Sequence, residues 1–69
     1  MTVPDEDAVV AIARAAAEGE GWPFVEPLSV TRHGSAWHVM TNVPMRGSNV
    51  NVWVDATTGA VLKQAFARR

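Results

Sequence analysis

Cysteine is absent from the 69 residues, which excludes disulfides and thiolate metal sites. An excess of positive charge is also missing. Six Lys and Arg stand against seven Asp and Glu, for a net charge of −1, whereas a general electrostatic grip on nucleic acid needs a basic surplus. No apolar run approaches the roughly 20 residues that span a bilayer. The start, Met1-Thr2-Val3-Pro4-Asp5-Glu6-Asp7, is acidic and has neither the basic nor the apolar region of a signal peptide. As written, the chain reads as cytoplasmic and soluble, with no membrane segment; a removed signal peptide would make the same sequence secreted or envelope-bound.

Catalytic signatures are lacking as well. No Gly-x-Ser-x-Gly elbow surrounds Ser29, Ser35 or Ser48, and no glycine-rich phosphate loop links a strand to a helix. Asp5 and Asp7 suit the positive end of a helix dipole better than a general acid/base pair. The chain has no internal repeat and no low-complexity segment. Neither an enzyme nor a cofactor is expected.

The length fits one domain, residues 1–69. A chain this short buries only about 60% of its unfolded surface, so the core is thin and self-association is one way to bury more. The charges are unevenly placed. Asp5, Glu6, Asp7, Glu18, Glu20 and Glu26 come early; Arg32, Arg46, Lys63, Arg68 and Arg69 come later. This suits helix-end complementation and solvated faces, or a basic rim that meets an acidic partner.

Residues 4–18 are expected to form a helix, with Pro4 in the first turn and Thr2 and Asp5 as a weak capping box. Val9, Ile12, Ala13, Ala16 and Ala17 recur at helical spacing as one slim apolar stripe. Gly19 and Gly21 should stop the helix before Trp22-Pro23. In the connector over residues 20–27, Trp22 and Phe24 are large enough that at least one should fold back on the core.

Strands are expected at 28–33, 36–43, 49–55 and 60–65. Gly34-Ser35 is a two-residue hairpin turn of the type that takes glycine first. It sets Arg32 opposite Trp37 and Val30 opposite Val39. Residues 44–48 are a second connection, and Ala67-Arg68-Arg69 a tail. Alternation sorts the side chains to two faces. Leu28, Val30, Trp37, Val39, Val43, Val50, Val52 and Val54 make an apolar face for the helix. Ser29, Thr31, His33, His38, Met40, Asn42, Asn49, Asn51 and Trp53 make a mixed second face that a single helix cannot also cover. The fold class is therefore α+β, one N-terminal helix on a three- to four-stranded antiparallel sheet.

The run Val52-Trp53-Val54-Asp55-Ala56-Thr57-Thr58-Gly59-Ala60-Val61-Leu62 is the most distinctive motif, a strand, an Asp-x-x-Thr-Gly turn and a strand. With Ala11-Ile12-Ala13 on the helix and Ala36-Trp37-His38-Val39 on the middle strand, it resembles the PepSY domain family, cystatin-like in its helix-on-sheet plan. The resemblance spans most of the chain. It departs from the family where Trp37 stands for the common Tyr and Ala60 for a charged residue. It implies a non-catalytic binding or inhibitory module of the kind associated with peptidase propeptides and envelope regulators.

Three groups are candidates for chemistry. Asp55 and Thr58-Gly59 are read as turn chemistry. His33 and His38 lie diagonally across the hairpin, but two imidazoles fall short of the three or four ligands of a zinc site; they are read as surface histidines, and no metal is expected. Trp53, Met40 and His38, with Thr31 and Asn51 beside them, cluster on the uncovered face. Trp and Met are enriched in interface cores. A homodimer or a complex with another protein is the expected use of this face. The alternative is a dimeric small-molecule sequestering protein that stacks an aromatic ligand between tryptophans. Nucleic acid is not an expected partner.

Overall fold

Asp5 starts the helix. Its backbone is extended, and its carboxylate accepts the Ala8 N–H at 2.8 Å, which satisfies one of the four free amides of the first turn. In the computed structural model, which describes residues 4–43 and 47–67, helix α1 spans Glu6–Glu20. It thus begins two residues later than proline at the first helical position would place it, because that arrangement makes Val3 the cap and valine has no side-chain acceptor. Thr2, the other half of the expected capping box, lies outside the described residues. At the other end α1 runs through Gly19, since a lone glycine costs only about 1 kcal/mol in a helix. It closes at Gly21, whose φ is +73°. There the Trp22 N–H donates to the Ala17 carbonyl at 2.9 Å and the Gly21 N–H to Glu18 at 3.1 Å, a two-bond left-handed cap that swings Trp22 back over the core.

Four strands follow, β1 (Ser29–His33), β2 (Ala36–Met40), β3 (Asn49–Asp55) and β4 (Val61–Ala67). They form one antiparallel sheet in the order β1-β2-β3-β4. Gly34 has φ +58° and turns the first hairpin in the expected register, with Val30 opposite Val39 and Arg32 opposite Trp37. The α+β class and the packing of α1 against the sheet are as the alternation requires.

β2 is shorter than its apolar pattern suggests. Asn42 adopts φ +57°, and its N–H and that of Val43 leave the ladder for the carbonyls of Val25 at 2.8 Å and Pro27 at 3.2 Å. Val43 therefore belongs to a loop contact, not to the helix-facing side of a strand, and Asn42 is not part of the open face. Thr41 is wholly buried, and its Oγ1 accepts the Val50 N–H at 2.8 Å.

Asn49 is a second correction. Alternation puts it on the open face, yet it is only 3% exposed. Its Nδ2 donates to the Thr41 carbonyl at 2.7 Å and to Asn42 at 3.4 Å, and its Oδ1 accepts the Gly47 N–H at 2.9 Å. Asn42, Gly47 and Ser48 all have positive φ, so this connection makes few ladder bonds of its own. One amide side chain supplies the donor and acceptor that its backbone needs. At the C-terminal end, Ala67 pairs with Asn49 inside β4 instead of starting a tail.

The core lies between α1 and the sheet. Val9, Ala13 and Ala17 from the helix meet Val39, Val50, Val52 and Val54 from the sheet, all at 0% exposure. Burying each valine contributes roughly 1.5–3 kcal/mol, and the alanines let the helix sit close. Trp22 and Phe24 both fold back on this cluster. Trp22 stacks on Phe66 at 5.8 Å, and the Arg14 guanidinium lies 5.2 Å from the Phe24 ring. Trp37 is half-buried at the margin beneath Arg32, 5.5 Å from its ring. Its buried Nε1–H meets no acceptor among the described residues.

The Asp-x-x-Thr-Gly motif locks β3 to β4. The Asp55 Oδ1 accepts the N–H groups of Thr57 at 2.7 Å and Thr58 at 2.9 Å. The Gly59 N–H donates to the Asp55 carbonyl at 3.0 Å, and the Ala56 N–H to Ser35 at 2.8 Å, tying this turn to the first hairpin. Gly59 has φ +80°, and a Cβ there would stand 3.3 Å from the Ile12 Cδ1, so both conformation and space call for glycine. The Thr58 and then the Thr57 amide bonds hold the Asp55 carboxyl below the usual carboxylate range. A depressed folded-state value stabilises the fold above the ordinary aspartate range, and that contribution is lost as pH falls through the folded value. Melting temperatures of wild type and Asp55→Asn should differ most near neutrality and converge as pH falls below the ordinary aspartate range. A difference that is flat with pH would mean that the carboxylate charge contributes nothing.

Candidate functional site

The face away from α1 is built by cross-strand pairing. One row runs Thr31, His38, Trp53, Lys63 across all four strands, and the next runs Ser29, Met40, Asn51, Ala65. Side chains directly opposite on one face are near enough to touch, so the register decides which chemistry meets. All five residues singled out from the sequence, Trp53, Met40, His38, Thr31 and Asn51, fall within these two rows. Thr31 is exposed and the other four are half-buried.

The first row is ordered. His38 and Trp53 stack with ring centroids 4.6 Å apart and planes 4° from parallel. The His38 Nε2 lies 2.9 Å from the Asn51 Oδ1; the amide oxygen can only accept, so this nitrogen carries the proton. The Lys63 ammonium lies 5.1 Å from the centre of the Trp53 ring, within cation–π range. Trp53 is therefore held by a flat imidazole from β2 and a cation from β4.

Lys63 is the member that the alternation misses. Counting back from the turn, a regular ladder pairs Val54 with Val61 and would set Leu62 opposite Trp53. The structure instead has a register shift between Trp53 and Val54, and Lys63 faces Trp53. One extra residue in β4, a bulge, exchanges an apolar neighbour for a cation. The only signal in the sequence is an apolar pair, Val61-Leu62, that breaks the two-residue period.

His33 and His38 are neighbours, at 6.4 Å between ring centroids and tilted by 43°. The His38 Nε2 is committed to Asn51. No three His, Cys, Asp or Glu side chains come together as a metal-holding group among the described residues. A shallow depression lies on the outer side of α1, between Asp7, Val10, Arg14 and Glu18. One helix forms all its walls, so it has no second element to enclose a ligand. Among the described residues no helix is long and apolar enough to cross a membrane.

Fold and face together define a helix-on-sheet α+β domain with one sheet face covered and the other carrying an ordered aromatic row. Comparison with protein-family models, with curated proteins and with solved structures finds no match to this chain.

Proposed function

We propose that this chain is a non-catalytic binding module of the PepSY kind that engages a protein partner through the face formed by Thr31, His38, Met40, Asn51 and Trp53, with Lys63 added. The observation that carries this reading is the stack of His38 on Trp53, held by Asn51 and Lys63 on the side of the sheet that α1 does not cover. Side chains ordered before binding lose less rotamer freedom on binding, and tryptophan is among the residues that most often dominate an interface. Met40 adds an adaptable apolar contact in the adjoining row. The partner this face suits has an apolar centre for the indole edge and Met40, and a carboxylate at its rim for Lys63.

A protein suits the row better than a small aromatic ligand. A ring stacking on Trp53 would first have to displace His38 or Lys63. The reading is non-catalytic because Thr31, the hydroxyl opposite His38 in the row, makes no hydrogen bond to that imidazole among the described residues. The one hydrogen bond His38 makes on this face goes to an amide.

The test is capture from native extract on immobilised wild type, Trp53→Ala and Val25→Ser, the last altering an exposed residue, 44% accessible, outside both rows. Proteins held by wild type and Val25→Ser should bind Trp53→Ala about 30-fold or more weakly, a hot-spot loss of about 2 kcal/mol. Equal capture by all three would remove the open face from the function.

A further inference from the structure

We propose that β4 is the seam of a homodimer, in which two copies pair edge to edge, antiparallel about a two-fold axis at Gln64, to give one eight-stranded sheet. β4 is an outer strand, and its free backbone groups can be assigned. The Val50 carbonyl accepts the Thr41 N–H at 3.1 Å, so Val50 faces β2. In an antiparallel ladder each residue sends its N–H and C=O to one side and its neighbour to the other, so Asn51 and Trp53 face β4. Their partners Ala65 and Lys63 face inward in return. Gln64 and Phe66 therefore direct their N–H and C=O groups out of the sheet.

Edge strands are normally guarded by shortness, charge or proline. The opposite edge, β1, is five residues long and carries Arg32 and His33. β4 is seven residues long, has no proline and carries the single charge of Lys63; its bulge lies at the Val61 end and leaves residues 63–67 a regular ladder. Three large apolar side chains are exposed among the described residues, and two of them, Val61 at 40% and Leu62 at 56%, lie on β4.

Register selects the axis. With Gln64 opposite the other copy's Gln64, all seven residues of β4 overlap. Lys63 then meets Ala65, Leu62 comes alongside Phe66, and the outward-facing residues meet one another. Moving the axis to residue 63 sets Lys63 against Lys63, a like-charge pair that costs stability. Moving it to residue 65 sends Leu62 past the end of the partner strand. A single strand pair buries less than the roughly 1,200 Å² of a standard complex, so the dimer forms in a concentration-dependent way. It leaves the Trp53 row free and presents it twice on one continuous face. This inference is independent of the binding role proposed for that face.

Sedimentation of the intact chain up to millimolar concentration tests it with three variants. Gln64→Pro removes an outward N–H while the inward ladder of Lys63 and Ala65 keeps its bonds. Leu62→Lys adds a charge at an exposed position. Wild type and Trp53→Ala should both dimerise. The two edge variants should dimerise at least about 10-fold more weakly with circular dichroism unchanged. Amide exchange gives a readout without substitution, since the Gln64 and Phe66 N–H groups should slow as wild-type concentration rises. A wild type that stays monomeric overturns the proposal, as does a dimer that survives both edge variants. A dimer lost in Trp53→Ala but kept in the edge variants also overturns it, by moving the contact to the open face.

Discussion

Asn49→Ala is expected to destabilise the fold by about 3 kcal/mol, because it removes the buried amide that bridges the two ends of the β2–β3 connection. The side chain is 3% exposed and serves the Thr41 carbonyl, the Asn42 carbonyl and the Gly47 N–H together. Alanine leaves those groups facing a small cavity. An unsatisfied buried polar group costs about 1–3 kcal/mol, and water admitted to the loop recovers part of the total. A domain of this length has about 3–10 kcal/mol of net stability, so the loss is a large share of the whole. Urea denaturation checks it, as a lowered midpoint with an unchanged slope. A change below about 0.5 kcal/mol, the size of an ordinary surface substitution, would mean that the connection holds its shape without this amide.

The second large effect separates adjacent residues on opposite faces of β3. Val52→Ala should cost about 2 kcal/mol, since Val52 is at 0% exposure among Val39, Val9 and the helix alanines and its loss leaves a void. Trp53→Ala removes a far larger side chain but should cost only about 1 kcal/mol, the worth of an aromatic contact on a half-open face. Its effect should fall on binding. The ordering is the test. If Trp53→Ala unfolds the protein more readily than Val52→Ala, the indole is structural and the face around it is no binding surface.

This contrast rests on an alternation that was legible in the chain. Valine at 50, 52 and 54 with Asn51 and Trp53 between them is a two-residue period, and slipping it by one would expose three valines together. The hairpin register was equally plain, because a two-residue turn beginning with glycine leaves one way for the flanking strands to meet. The helix stripe over Val9, Ile12, Ala13, Ala16 and Ala17 is present as read, since a 3.6-residue period is a local property. The five candidate site residues share one face for the same reason. The binding role itself is a proposal drawn from the chemistry of that face, and the capture experiment tests it.

Local period and turn chemistry were thus set by the amino-acid sequence alone: one helix, three or four strands, and the faces of the first three apart from Asn42, Val43 and Asn49. The tertiary structure decided the points where backbone groups had to find partners outside a regular ladder. β2 stops at Met40 because the amides of Asn42 and Val43 are taken by Val25 and Pro27. Asn49 goes inward because a loop with positive φ at Asn42, Gly47 and Ser48 lacks a ladder of its own. Lys63 displaces Leu62 beside Trp53 because β4 takes one extra residue to stay paired with β3. The first outcome is set by bonds between residues distant in the chain and the other two by bonds across a single connection or turn, and a period of apolar and polar side chains carries no record of either.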